Sequence, residues 1–339
     1  MSTKFFHTSV TRIANFASQG FEAAPLPREE WRNGQYVLGE VIDCSSALRH
    51  VELCSGRMAE VSVGDKVAGV FGRRAATLEA VGDWAAIGPD LCMHALTSAG
   101  LFGRVTSKSV YLPALMALRY RGHVLVDGRP VEMRACVAPV PPRSFDHPVI
   151  LVIGTSMSAG KTTACRVLVR ELKAAGLTVI AAKLTCAARY RDALMMSDAG
   201  ADQVFDFVDA GLPCTVCPPE EFRTALRALL SRMAALKADV VVVEAGASPL
   251  EPYNGDVAVA EIARNVRLTI VCASDPYAVV GVMQAFGRTP DLVCGGAANT
   301  DAAIHLVRKL TGIEALNLQE PAHLPKLRAM LGSGLGLAK

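Results

Sequence analysis

A glycine-rich loop between an apolar run and a helix-favouring stretch constrains the fold of this chain more than any other feature. Residues 149–153 are all apolar, as in a parallel strand buried on both faces. The segment from Gly154 to Thr163 then reads Gly-Thr-Ser-Met-Ser-Ala-Gly-Lys-Thr-Thr, and we expect a helix to begin at Lys161. In a strand–loop–helix unit of this kind, backbone N–H groups of the loop and of the helix N-terminus face phosphate groups. The sequence therefore predicts a P-loop that binds a nucleoside triphosphate with Mg²⁺.

The whole loop and the first helical residues are candidate nucleotide contacts. These are Gly154, Thr155, Ser156, Met157, Ser158, Ala159, Gly160, Lys161, Thr162 and Thr163. Lys161 is expected to supply positive charge at the β- and γ-phosphates, and the hydroxyl of Thr162 is expected to ligate Mg²⁺. A chance match in a loop rich in Gly and Ser is the alternative, and the agreement of strand, spacing and helix argues against it.

The chain after the loop alternates between strand and helix patterns. We expect strands at residues 149–153, 178–182, 239–244, 268–273, 292–294 and 315–318, and helices at 161–175, 198–210, 219–238 and 301–310. Alternation of this kind is typical of a parallel sheet with helices on both faces. Residues 149–339 are therefore predicted to form an α/β domain of the P-loop type with a mostly parallel sheet.

The N-terminal part, residues 1–138, has a different pattern, with short β-type runs between turn residues. Strands are predicted at residues 36–42, 50–53 and 66–71, a hairpin at 123–137 around Asp127-Gly128, and one helical stretch at 112–119. This smaller domain is predicted to be β-rich, with a small barrel as a candidate, and to present a substrate or a partner. Four prolines within residues 139–148 indicate a linker between the two domains.

Composition excludes several classes of function. A net charge of +3 and the lack of a basic stripe with aromatic residues argue against nucleic acid as a partner. No apolar run reaches the roughly 20 residues that a membrane span needs. The ten cysteines lie mostly in apolar runs, which favours a reducing cytoplasm over a disulfide framework. Residues 1–20 contain no acidic residue and are rich in Ser and Thr, which faintly resembles a transit peptide. An ordinary surface strand or helix is the preferred interpretation.

The spacing of the loop departs from the common P-loop pattern. Five residues separate Gly154 from Gly160, and Thr155 stands where the first glycine is usual. In this respect the loop resembles that of dethiobiotin synthetase and its relatives, a branch that includes the cobyric acid synthase amidotransferases and the Min-type ATPases. Two serines, Ser156 and Ser158, replace acidic residues that are typical of dethiobiotin synthetase. Min-type ATPases carry a second lysine where Ser156 stands, so a switch of that kind is not expected.

The resemblance covers about residues 149–318 and implies companions for the loop. Glu244 ends a valine run in Val-Val-Glu-Ala-Gly-Ala, similar to a segment of dethiobiotin synthetase, and is expected to hold Mg²⁺. Lys183 ends the second strand, where related enzymes place a lysine that meets phosphate and substrate. Asp198 resembles their second metal ligand, although it is equally interpretable as the N-cap of a helix.

Three further residues have weaker signals. Asn299 corresponds to a residue that related proteins place against the nucleotide base, or it is a simple helix cap. Arg189 and Arg191 are candidates for a clamp on an anionic substrate, with solvated loop charges as the alternative. The pair Cys214 and Cys217 has zinc-like spacing but lacks a second pair of ligands, so we interpret it as structural.

The resemblance implies an enzyme that uses ATP and Mg²⁺ to activate a small, anionic, carboxylate-type metabolite by phosphoryl transfer, for amide or ring formation. Lys161, Lys183 and Glu244 would be its catalytic residues. The alternatives are a small-molecule kinase, an NTPase switch acting on a protein, and an N-acyltransferase. The last follows from a similar domain order in the P-loop family of D-glutamate N-acetyltransferases. A homo-oligomer is implied because dethiobiotin synthetase completes its site across two subunits.

Overall fold

The computed structural model describes residues 5–16 and 20–336. Contacts within the chain divide it into two compact units. The first contains Met1–Pro139, Ala187–Arg191 and Phe207–Val216, and the second contains Val140–Cys186, Asp192–Asp206 and Cys217–Lys339. Two short segments that follow the P-loop in sequence are therefore grouped with the N-terminal unit.

The first unit is built from short strands. They are β1 (Phe5–His7), β2 (Glu22–Ala24), β3 (Tyr36–Asp43), β4 (His50–Glu52), β5 (Met58–Glu60), β6 (Lys66–Phe71), β7 (Arg73–Ala75), β8 (Ala80–Asp83), β9 (Cys92–Thr97), β10 (Leu101–Lys108), β11 (Ala117–Val126) and β12 (Arg129–Pro130). Short 3-10 turns lie at Ser9–Ile13, Arg28–Glu30, Trp84–Ala86 and Met133–Cys136.

Five of these strands close into a ring. β6, β3, β11, β9 and β10 pair in that order, and β10 pairs again with β6 through Leu101 opposite Val70 and Phe102 opposite Phe71. Closure leaves no free edge between the first and last strand of the ring. The side chains of Val67, Phe71 and Phe102 are buried inside. The predicted β-rich domain is confirmed, and its centre is a small barrel.

The helix predicted at residues 112–119 is wrong, because β11 occupies residues 117–126. The alternation there has a period of two: Leu118 and Tyr120 are buried, whereas Arg119 and Arg121 are exposed. The hairpin that follows β11 is confirmed. Asp127 and Gly128 at its turn both have positive φ, 51° and 72°, as a two-residue turn between twisted strands requires.

The remainder of the chain alternates between strands and helices. They are β13 (Val149–Gly154), α1 (Lys161–Ala174), β14 (Val179–Thr185), α2 (Tyr190–Asp198), β15 (Gln203–Asp206), α3 (Pro219–Ala234), β16 (Val240–Ala245), α4 (Gly255–Ile262), β17 (Val266–Cys272), α5 (Pro276–Phe286), β18 (Leu292–Cys294), α6 (Asp301–Thr311) and α7 (Leu324–Leu335). The 3-10 turns lie at Phe207–Ala210, Ala263–Asn265, Gly295–Ala298 and Pro321–His323.

The six strands of the second unit form one parallel sheet in the order β15-β14-β16-β13-β17-β18. All residues of β13 and β16 are buried, as expected for strands covered by helices on both faces. The predicted α/β class is confirmed. Since the strand order reverses around β13, the loop after β13 opens at a switch point, where open sheets of this class bind ligands.

Two predicted elements of this unit are wrong. The helix expected at 198–210 is replaced by α2, which ends at Asp198, and by β15, which pairs with β14. Gly200 separates them with φ = 104°, a conformation that ends a helix and that side chains disfavour. The strand expected at 315–318 is reduced to one bridge, between Val293 and Ala315. The helices α4, α5 and α7 were not predicted.

Within residues 5–16 and 20–336, no helix has the length and apolar character needed to cross a bilayer. Residues 1–4 and 17–19 of the N-terminal segment lie outside the described residues. The transit-peptide alternative for residues 1–20 is therefore not tested.

Candidate functional site

The loop between β13 and α1 has the backbone expected of an anion cradle. Gly160 precedes α1 with φ = 98°, and Ser158 also has positive φ, 62°. Residues in left-handed conformations within such a loop turn successive N–H groups toward one point. The first turn of α1 contains no acidic residue, so the positive end of the helix dipole is not neutralised there. The loop therefore favours a negatively charged ligand.

Lys161 lies across this loop. Its residue is 5% exposed, and its Nζ donates a hydrogen bond of 2.6 Å to the carbonyl oxygen of Ser156. A Cβ at Gly154 would come within 2.9 Å of Lys161 Cδ and Nζ. A side chain at position 154 would therefore have to displace the end of the Lys161 side chain from this position.

The loop is also fixed to the neighbouring strand β17. The backbone N–H of Thr155 donates to the carbonyl of Cys272 at 3.1 Å, and its hydroxyl accepts the N–H of Ser274 at 3.2 Å. On the side of β18, a Cβ at Gly295 would lie 2.3 Å from the carbonyl oxygen of Ala159. The segments that follow β17 and β18 thus pack directly against the loop.

Thr162 and Glu244 form the candidate metal site. Thr162 Oγ1 in the first turn of α1 donates a hydrogen bond of 2.9 Å to Glu244 Oε2 near the end of β16. Glu244 is 2% exposed. A hydroxyl and a carboxylate are ligands that Mg²⁺ accepts, usually together with phosphate oxygens and water. The two side chains predicted to hold the metal are thus brought together, with donor atoms that suit it.

Lys183 adds a second cation to this edge of the sheet. It is the register partner of Glu244 across β14 and β16, and its Nζ lies 3.9 Å from Glu244 Oε1. It also forms an ion pair with Asp192 in the first turn of α2. Burial disfavours the ammonium form, but the carboxylates of Asp192 and Glu244 outweigh it, so the pKa of Lys183 lies above its ordinary value. The charged form of this buried lysine is therefore favoured.

Asp198 is not brought to this cluster. It is exposed at the last position of α2, so it does not cap the start of a helix. At 1.5 Å per residue, it lies about 9 Å along the helix axis from Asp192. The carboxylate beside Lys183 is Asp192, which the sequence interpretation missed. An acidic residue in the first turn of a helix is a common start signal, but this helix had been predicted eight residues too late in the chain.

Asn299 is exposed and follows the 3-10 turn Gly295–Ala298. The cap of α6 is Thr300, whose hydroxyl accepts the N–H of Ala303 at 3.2 Å. The cap interpretation therefore belongs to Thr300, and a contact of Asn299 with a nucleotide base stays a prediction. Arg189 and Arg191 are both exposed, and their role as a substrate clamp also stays a prediction.

The strand β13 leads into a glycine-rich loop, and a helix begins at the lysine that follows this loop. The strand belongs to a parallel sheet, and the adjacent strand β16 carries an acidic residue near its end. The second unit has the fold of a P-loop NTPase. The chain matches no family model and no curated protein.

Some solved structures are similar to parts of the chain. HypB from Helicobacter pylori, in complex with nickel, is 17% identical over 56% of this chain and 88% of its own, with a TM-score of 0.38. A DUF1611 family protein from Anabaena variabilis is 13% identical over 59% of this chain and 62% of its own, with a TM-score of 0.37. The Signal Recognition Particle 54 kDa protein from Aeropyrum pernix K1, in complex with GDP, is 15% identical over 58% of this chain and 50% of its own, with a TM-score of 0.35.

Proposed function

We propose that the protein is an enzyme that uses ATP and Mg²⁺ to phosphorylate the carboxylate of a small anionic metabolite, as the first half of amide or ring formation. The observation that carries this proposal is Lys183, a second buried cation beside Glu244 in addition to Lys161. A phosphoryl group in transfer spreads negative charge over its oxygens, and enzymes that catalyse this step depend on positioning and on fixed positive charge. Two lysines on adjacent elements meet that requirement.

Each residue at the sheet edge then has a distinct task. The backbone of the loop binds the phosphates, and Lys161 neutralises the β- and γ-phosphate oxygens. Thr162 and Glu244 would hold Mg²⁺, which when bound withdraws charge from the phosphate oxygens. The hydrogen bond between these two side chains supports that role, because it fixes both oxygen ligands within 2.9 Å of each other before the metal arrives.

Lys183 and Asp192 complete the arrangement. Asp192 is proposed as the counter-ion of Lys183, with which it forms an ion pair. With Asp192 as its counter-ion, Lys183 would keep its charge and its direction if Glu244 holds the metal. The ammonium group is then available to the transferred phosphoryl group and to the anionic acceptor. Arg189 and Arg191 are proposed to bind the acceptor, and Asn299 the base.

The experiment is a screen of carboxylic acids, dicarboxylates, amino acids and amines with ATP and with GTP in parallel, recording ADP or GDP release and product mass together. The proposal expects one carboxylate to accelerate nucleotide consumption and to gain an amide or a ring. The variant Lys183→Met should lose this acceleration, and Lys183→Arg should retain part of it. Accumulation of a stable phosphorylated metabolite would favour the kinase. Acceleration by a protein and by no metabolite would contradict the proposal and favour the switch.

The preference for ATP, the cytoplasmic location and the homo-oligomer remain predictions from the sequence. Sedimentation of the nucleotide-bound protein tests the last of these.

A further inference from the structure

Glu52, the last residue of β4, is a carboxylate with no exposure to solvent. It accepts hydrogen bonds from the hydroxyl of Ser9, from the backbone N–H of Tyr190 at 2.7 Å and from the backbone N–H of Arg191 at 3.1 Å. All four residues belong to the first unit. A buried carboxylate is costly unless donors surround it, and here two of the three donors come from one short segment.

That segment is the start of α2. The N–H groups of the first residues of a helix have no partner within the helix, and the helix dipole favours a negative charge beside them. The residue before α2 is Arg189, whose side chain has no acceptor and cannot cap. Glu52, 138 residues away in sequence, therefore acts as a cap of α2, because it accepts the N–H groups of Tyr190 and Arg191.

Tyr190 is held on a second side. The guanidinium of Arg12 lies 4.3 Å from the centre of the Tyr190 ring, and Arg12 forms an ion pair of 2.8 Å with Asp209. The first residue of α2 is thus fixed at its backbone by Glu52 and at its ring by Arg12. These two contacts restrict the position of the first turn of α2.

Asp192, the ion-pair partner of Lys183, lies in the same turn, two residues after Tyr190. We propose that Glu52 is a positioning residue of the phosphate site: by fixing the first turn of α2, it fixes Asp192, and Asp192 fixes Lys183. The role of Lys183 in turnover rests on the proposed function. The effect of Glu52 on the backbone of α2 does not.

The test is a double-mutant cycle with Glu52→Gln and Asp192→Asn. A glutamine cannot accept all three hydrogen bonds, because its amide nitrogen only donates. Turnover of MgATP should fall about ten-fold or more in Glu52→Gln alone, because a first turn that has lost one of these hydrogen bonds no longer holds Asp192 in one place beside Lys183, and small displacements of positioned groups are costly to the rate. In the Asp192→Asn background, Glu52→Gln should change turnover less than about two-fold, because the route through Asp192 is already broken.

The control is Asp291→Asn. Asp291 also accepts a backbone N–H, that of Thr269 at 2.7 Å, but it lies before β18, at the opposite edge of the sheet from the P-loop. This variant should retain turnover even if its melting temperature falls. The proposal would be overturned if Glu52→Gln lowered turnover by the same factor in wild type and in Asp192→Asn. It would also be overturned if Glu52→Gln did not lower turnover in wild type. If Glu52→Gln does not fold, Glu52→Asp takes its place in the cycle.

A second readout separates this proposal from the proposed function. Amide hydrogen exchange in α2 and the affinity for MgADP need no turnover. If wild type consumes no ATP, the proposed function fails, whereas faster exchange at the first turn of α2 in Glu52→Gln and weaker MgADP binding still support the positioning role. Unchanged exchange in that turn would overturn it.

Discussion

The hydroxyl of Thr162 donates a 2.9 Å hydrogen bond to the carboxylate of Glu244. One residue lies in the first turn of α1 and the other near the end of β16, which is hydrogen-bonded to the strand that leads into the P-loop. The bond therefore couples the phosphate-binding helix to the acid that is proposed to hold Mg²⁺. A metal ion that takes both oxygens as ligands would replace this bond.

Replacing Glu244 with glutamine should raise the Mg²⁺ concentration needed for half-maximal turnover about ten-fold or more, because an amide carries no charge toward a hard cation. A titration of Mg²⁺ at fixed ATP measures this. Glu261→Gln is the matched control, since Glu261 pairs with Arg223 and Arg227 and not with the loop. An unchanged Mg²⁺ requirement in Glu244→Gln would remove Glu244 from the metal site.

Asp192 and Asp198 provide a matched pair on one helix. Asp192→Asn removes the nearer of the two carboxylates that face the buried ammonium group of Lys183, and turnover should fall about ten-fold or more. Asp198→Asn removes an exposed charge and should change turnover less than about two-fold. Steady-state kinetics of both variants decides between the two assignments. A larger loss in Asp198→Asn would restore the interpretation made from the sequence.

The parts of the site that the sequence predicted are those encoded locally. The loop from Gly154 to Thr163, its strand and its helix are contiguous, so composition and spacing suffice to identify them. Glu244 was recognisable because it ends a run of four valines, and a run of that kind is a buried strand. Lys183 was named because the related enzymes place a lysine at the end of the second strand.

The parts that the sequence did not predict depend on contacts distant in the chain. Asp192 was missed because Glu52, which accepts the first N–H of α2, lies 138 residues away in sequence, and the residue before the helix, Arg189, is not a typical start signal. β11 was mistaken in part for a helix because a run such as Leu-Arg-Tyr-Arg has few residues on which to judge the period. Its strand pairing with β3 and β9 decides the structure.

The buried histidine of the barrel predicts a pH dependence of stability. His123 lies between the hydroxyl of Tyr120, at 2.5 Å, and Oε1 of Gln35, at 3.0 Å. Burial lowers its pKa to about 4. The unfolded chain, with the ordinary histidine pKa of about 6.5, therefore binds a proton at higher pH than the folded protein does. The stability that neutral His123 contributes is complete above about pH 6.5 and is lost as the pH falls toward 4.

The loss should reach about 3 kcal/mol at pH 4 relative to pH 7. Urea unfolding of wild type and of His123→Gln across this pH range isolates the contribution of His123, because the contributions of the other titratable groups cancel in the difference between the two proteins. His305→Gln, at an exposed position of α6, serves as the control. A difference between wild type and His123→Gln that does not change with pH would contradict the assignment.

The binding of ATP with and without Mg²⁺, measured by titration calorimetry on wild type and on Lys161→Ala, tests whether this loop is a nucleotide site. Wild type should bind ATP, and Mg²⁺ should strengthen the binding. Lys161→Ala should bind about a hundred-fold more weakly, as expected for the loss of a buried charged partner, while its thermal unfolding stays close to that of wild type. Equal affinity in the two proteins, or no binding by wild type, would contradict the assignment of this loop as a nucleotide site.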